Sequence, residues 1–280
     1  GSREKLNDIF GQIRGIYDGD EFSAGLGNQA GGCKSAKAKF NWIVGMTPAI
    51  DKHWHLNQLG DRFLSFRLNI DDRRAHIRQG LELSEDGTLD KTREEVCGAV
   101  HNMLASVPKI LPSITPAMKN RLIDLAEVLA TCRTFLDRDR DGNLYTPPLP
   151  EYGTRIAQQL LRVAQSVALV RGHAGVEEPD FVLMKRVAFD TLLPNRFSLL
   201  STLWQNQGTP LFVNKIAKYM GVAEKTAKRH LDDLVDLGVA VSGDISLTGP
   251  LSNGSFKGYL VNPKFAEYLK SIGGVPSCNP

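Results

Sequence analysis

The stretch VNKIAKYMGVAEKTAKRHLDDLVDLGVAV, residues 213–241, carries most of what can be read about the fold. Val213–Met220 reads as a short helix ended by Gly221, a residue type that accepts the left-handed conformation common at helix ends. Ala223–Leu237 reads as a second helix, because Ala227, Leu231, Leu234 and Leu237 recur at helical spacing on one face. Just upstream, Phe197–Gln205 is a further helix. Downstream, Val239–Val241 and Gly258–Val261 read as short strands around a Gly/Ser/Asn-rich loop, 243–257.

Helix, helix, tight turn, helix and a two-stranded wing is the element order of a winged helix-turn-helix. With 223–237 as the recognition helix, the outward face carries Lys225, Lys228, Arg229 and His230 toward its N-terminal half. That end reaches base edges and phosphates in helix-turn-helix proteins. Lys257 falls on or near the wing, and Asp232, Asp233 and Asp236 follow on the helix, where they repel phosphate and orient the approach. The competing reading is a protein-contact module whose charges only solvate a helix face.

The middle of the chain reads as helical over 92–106, 117–136, 154–171 and 180–190, with Pro147, Pro148 and Pro150 marking a rigid connection. Nearer the start, residues 3–17 have helical spacing, and 18–39 are Gly-rich and then basic, with Lys34, Lys37 and Lys39. FNWIVGM, 40–46, reads as a strand ending at Thr47-Pro48. Residues 64–70 alternate apolar and polar and read as a second, half-buried strand. The expected fold class is mainly α with a small α/β part.

With 42% hydrophobic and 23% charged residues in 280, the composition is that of a globular chain of about two domains. No apolar run approaches the ~20 residues of a membrane span. Cys33, Cys97, Cys132 and Cys278 form no CxxC pair, which argues against a disulfide framework and a zinc site and fits a cytoplasmic protein. The net charge of +3 hides a pattern: 12 Lys/Arg against 9 Asp/Glu in 1–79, 13 against 16 in 80–191, and 9 against 6 in 192–280. Two basic ends thus flank an acidic middle, which random scatter of surface charge also explains.

Three tempting motifs fail on their own chemistry. GNQAGGCKS, 27–35, has Asn28 and Cys33 where a phosphate-binding GxxxxGK[ST] loop needs glycines. DRDRDGN, 137–143, matches the first half of a calcium loop, but its twelfth position is Pro148 rather than Glu, so a charged turn is expected. His53 and His55 have no third ligand at matching spacing, and His76, His101 and His173 are isolated, so no metal ligands are assigned.

The segment IVGMTPAIDKHWHLNQLGDRFLSFRL, 43–68, resembles the second half of an AAA+ ATPase core of the minichromosome-maintenance-like kind. The resemblance puts Thr47 at the sensor-1 place, where the family usually has Asn, and Arg62, in Leu59-Gly60-Asp61-Arg62-Phe63, at the arginine-finger place. It puts the Lys-bearing segment 20–39 at a pre-sensor hairpin that contacts DNA, and Arg155, in Glu151-Tyr152-Gly153-Thr154-Arg155, at the sensor-2 place of a helical lid. The whole is similar to ATPases of phages and mobile elements that follow the lid with a winged helix.

The resemblance implies three domains: the C-terminal part of an AAA+ core over 1–79, an all-helical lid over 80–191 and a winged-helix DNA-binding domain over 192–280. Thr47 would orient the attacking water, Arg62 would meet the γ-phosphate of a neighbouring subunit, and Arg155 would reach the nucleotide of its own. Simpler readings are a strand-end cap for Thr47, an ion pair with Asp61, Asp71 or Asp72 for Arg62, and a helix-start charge for Arg155. Walker A and Walker B are missing, so the chain is expected to be a fragment of a longer ATP- and Mg2+-dependent DNA helicase that forms a homo-oligomeric ring. The fragment is expected to hold no cofactor tightly and not to hydrolyse ATP by itself. The alternative is a winged-helix regulator or replication initiator without motor activity.

Overall fold

The computed structural model describes residues 22–24, 34–36, 43–47, 51, 63–68, 70–85, 87–249 and 252–277. The chain divides into two compact units, Gly1–Leu64 with Phe135–Pro148, and Ser65–Thr134 with Leu149–Pro280. The fold is mainly helical, with a small three-stranded antiparallel sheet. No helix among the described residues is long and apolar enough to cross a membrane.

In the first unit, β1 (Phe22–Ala24) pairs antiparallel with β2 (Lys34–Ala36), with Ser23 opposite Ser35. Residues 137–145 form a charged turn closed by Asp139, whose carboxylate accepts from the backbone of Asp141 and Asn143 at 2.9 and 2.8 Å. The same carboxylate takes the Asn143 amide at 3.0 Å. Among the described residues no group of three or more His, Cys, Asp or Glu is placed to hold a metal ion.

The second unit begins with two helices, α1 (Arg73–Glu85) and α2 (Thr88–Ser106), neither of which buries a residue. Asp72 starts α1 by accepting from the Ala75 N–H at 2.9 Å. The core is built by α3 (Pro116–Arg133), α4 (Thr154–Val170) and α5 (Glu178–Asp190). Thr115 caps α3 through its side chain, with Pro116 at the first position, where a missing N–H costs nothing. Leu125, Leu129, Ile156, Leu160, Phe181 and Met184 are fully buried between these helices.

The same unit continues with α6 (Pro194–Gln205), β3 (Leu211–Phe212), α7 (Val213–Met220), α8 (Glu224–Asp236), β4 (Ala240–Gly249), β5 (Ser252–Val261) and α9 (Pro263–Ser271). The sheet order is β3-β5-β4, all antiparallel. The register runs from Ala240 opposite Val261 to Gly249 opposite Ser252, so the expected loop 243–257 is a long hairpin instead. Ten backbone pairings outweigh the poor strand propensity of its Gly, Ser and Asn residues. Gly258 is closely approached on β5: a Cβ there would lie 3.0 Å from Pro210 Cβ and closer still to the tip of Ile245, which would have to move.

Polar contacts tie the late elements to the early helices. Arg196 on α6 is buried and donates to the Cys132 and Thr134 carbonyls at 2.8 and 2.6 Å, at the end of α3. Lys185 on α5 donates to the Ile272 and Gly273 carbonyls beyond α9 at 3.1 and 3.2 Å. Asp180, fully buried on α5, receives Arg171 and His173 at 2.8 Å each and the Glu177 N–H at 3.0 Å.

Two expected strands are not strands. Residues 43–47 are irregular, with Ile43, Val44 and Met46 exposed; the first part of that expected strand, 40–42, lies outside the described residues. Residues 63–68 are also irregular. The Ser65 N–H goes to Thr191 Oγ1 at 2.9 Å and the Arg67 N–H to Asp190 Oδ2 at 2.9 Å. Alternation marks a segment that suits a pleated sheet, but a strand also needs a neighbour to receive its N–H groups. Here the end of α5 receives them. The expected helix over 3–17 lies outside the described residues.

Candidate nucleic-acid interface

α7 ends because Gly221 takes φ 65°, which lets the Val222 N–H turn back to the Ala217 carbonyl at 3.1 Å. The chain re-enters a helix after only Gly221–Ala223. α8 buries Ala227, Leu231 and Leu234 at i, i+4 and i+7, which turns Lys225, Lys228 and Arg229 outward, all exposed. These cations occupy the first half of α8, where the unpaired backbone N–H groups also favour an anion.

Lys228 is held in place. Its Nζ lies 2.7 Å from Asp232 Oδ2, one turn along the helix. The other oxygen of Asp232 accepts from the Tyr259 hydroxyl of β5 at 3.4 Å. Tyr259 is fully buried, and burial, reinforced by the Asp232 charge, pushes its phenol up to about 12, so it stays a donor. Lys257, exposed on β5, lies with its Nζ 5.9 Å from the Tyr259 ring centroid. An exposed i,i+4 pair contributes only about 0.3–0.5 kcal/mol, so a phosphate can take Lys228 from Asp232 at little cost.

His230 departs from the expected outward face. It is half-buried, and its Nε2 lies 3.2 Å from the Asn195 amide nitrogen of α6. Burial holds its pKa below the usual 6.5 against the pull of Asp233, so near neutral pH it accepts from Asn195 and offers no cation. The helix period explains this: His230 is adjacent to buried Leu231 and one turn from buried Ala227.

Of the other expected catalytic residues, Thr47 and Arg155 are described, each in a different unit. Thr47 is exposed in an irregular segment of the first unit, so no strand ends there. Arg155 lies in the first turn of α4, in the second unit. Arg62, Lys37 and Lys39 lie outside the described residues, and Lys34 is described only as part of the β2 backbone. Sequence reading missed Tyr259 and Asn195 as partners of α8. The Lys228–Asp232 spacing was visible as an i,i+4 pair, whereas the contacts to Tyr259 and Asn195 cross 27 and 35 residues and leave no local signal. No family model matches the chain, and no curated protein or solved structure matches it either.

Proposed function

We propose that residues 194–261 are a winged helix-turn-helix that binds DNA, with α8 as the recognition helix and the β4–β5 hairpin as the wing. The observation that carries this reading is the exposed cation set Lys225, Lys228 and Arg229 on the first half of α8, with Lys257 exposed on the adjoining hairpin. α6, β3, α7, α8, β4 and β5 follow one another in the order that such a module requires.

The resemblance of 43–68 and 151–155 supports placing this module in an AAA+ DNA helicase or translocase of a mobile-element type. In that reading Thr47 orients water, Arg62 is the arginine finger, Arg155 is sensor 2, and the full protein uses ATP and Mg2+ in a homo-oligomeric ring. A second reading, a regulator or replication initiator without motor activity, is favoured by one observation: 43–47 and 63–68 form no strands.

Fluorescence anisotropy on labelled duplexes at two salt concentrations tests the proposal. Reversing Lys225, Lys228 and Arg229 to Glu is expected to weaken binding on every sequence. It should also flatten the salt dependence by roughly 0.9 in log–log slope for each phosphate that the protein no longer neutralises. Unchanged affinity would sink the DNA reading. A motor part binds random duplexes alike, whereas a regulator prefers one site by about 10³-fold or more.

A further inference from the structure

Within α1 the charges run against the helix dipole, although Asp72 caps its start. Arg73 and Arg74 stand in its first turn and Glu85 in its last, with no acidic residue within the first turn and no basic residue within the last. A lone helix favours the opposite arrangement, because its N-terminus is partially positive and its C-terminus partially negative. Something other than local helix stability suits this pattern.

The same residues form one row. Arg73, Ile77, Leu81 and Glu85 are spaced by four, so they lie along a single ridge of the helix. Ile77 is 61% and Leu81 60% exposed, which is costly for side chains of this type beside each other in water. Ile70, just before the helix, is also exposed. The row is self-complementary: read antiparallel about its centre, Arg73 meets Glu85, Ile77 meets Leu81, and each pairing occurs twice.

We propose that α1 is a two-fold self-association surface on which a second copy of this chain packs antiparallel through Arg73, Ile77, Leu81 and Glu85. The two apolar pairs close the centre and an ion pair closes each end. The antiparallel partner also brings each helix end against a terminus of opposite partial charge. A two-fold axis needs one patch that matches itself, and the order Arg-Ile-Leu-Glu does so. One helix of 13 residues offers an interface below about 1,200 Å², so the dimer is weak and concentration-dependent. The proposal stands apart from DNA binding and from the ATPase reading.

The test is sedimentation equilibrium of the full chain, with Arg73→Glu and Glu85→Arg made singly, mixed and combined. Either single variant puts like charges at both ends of the dyad and is expected to raise the dimer Kd roughly tenfold. Both changes favour α1 as a helix, so unchanged or stronger helical circular dichroism separates a broken pairing from a failure to fold. An equimolar mixture of the two single variants is expected to associate again, as heterodimers, and the double variant to associate as wild type does. Leu81→Lys is expected to abolish association. A wild type that stays monomeric at hundreds of micromolar overturns the proposal. So do single variants that dimerise as wild type does, or a mixture that stays monomeric.

Discussion

Replacing Asp180 by Asn separates a charge from its shape at the most buried ionic site among the described residues. The carboxylate has no solvent exposure and receives Arg171 and His173 at 2.8 Å each, with the Glu177 N–H at 3.0 Å at the start of α5. Asn keeps the volume and can still accept from Glu177 through its carbonyl oxygen. It takes the charge out of two bonds that with it are about 1.5–3 kcal/mol each, leaving a neutral oxygen opposite His173 and an amide N–H turned toward the guanidinium. The Arg171 side chain is 38% exposed, so water screens its share and that bond counts at about 1 kcal/mol. The expected loss is therefore about 3 kcal/mol near neutral pH, or roughly 6–12 °C in Tm for a unit of this size.

The pH dependence gives the sharper test. Burial alone pushes the Asp180 carboxyl up, but hydrogen bonds from His173, the Glu177 N–H and Arg171, with the His173 charge, hold it below its ordinary 3.8. A depressed carboxyl stabilises the fold fully above its unfolded value, and that stability disappears as pH falls through the folded value. Urea denaturation followed by far-ultraviolet circular dichroism should show the wild-type advantage over Asp180→Asn in full at about pH 5 and shrinking below about pH 4. A difference under about 1 kcal/mol at neutral pH, or one that persists unchanged well below 3.8, refutes the reasoning.

Further outcomes are expected on the same footing. Arg196→Met should cost about 2–4 kcal/mol in urea denaturation, because it strands the Cys132 and Thr134 carbonyls, and Arg196→Lys should recover part of that. Gly274→Ala should cost about 1–3 kcal/mol, since it combines φ +80° with a Cβ 2.7 Å from Trp204 Nε1. Gly273→Ala, with φ +74° but nothing nearer than 3.7 Å, should cost less, both measured by the same urea denaturation. A brief iodoacetamide pulse with peptide mapping should label exposed Cys97 and spare Cys132, whose thiol burial pushes up to about 12. Tyr259→Phe should loosen Lys228 by removing the donor on Asp232, a change of a few tenths of a kcal/mol in DNA affinity, checked by anisotropy.

The helices were legible because their signal is local. Ala227, Leu231 and Leu234 declare the buried face of α8, and Gly221 declares the end of α7, without knowledge of any other segment. The exposed faces of Lys225, Lys228 and Arg229 follow from the same period. Two helices escaped. α1 has only Ile77, Leu81 and Leu83 among charges, and α9 begins at Pro263, with Asn262 accepting from the Lys264 N–H as its cap.

What needed the tertiary structure was everything settled by a distant partner. Residues 64–68 have the alternation of a strand, yet no strand among the described residues pairs with them, and the Ser65 and Arg67 N–H groups go to Thr191 and Asp190. Arg196, which no sequence pattern singles out, is a buried clamp on the end of α3. His173 reads as isolated and instead holds Asp180. His230 shares a helix with the exposed cations but faces Asn195 across 35 residues. A helix period acts over a single turn and is written in consecutive residues. Burial, pairing and the protonation of a side chain depend on which remote residues the chain brings to it, and only the folded arrangement holds that information.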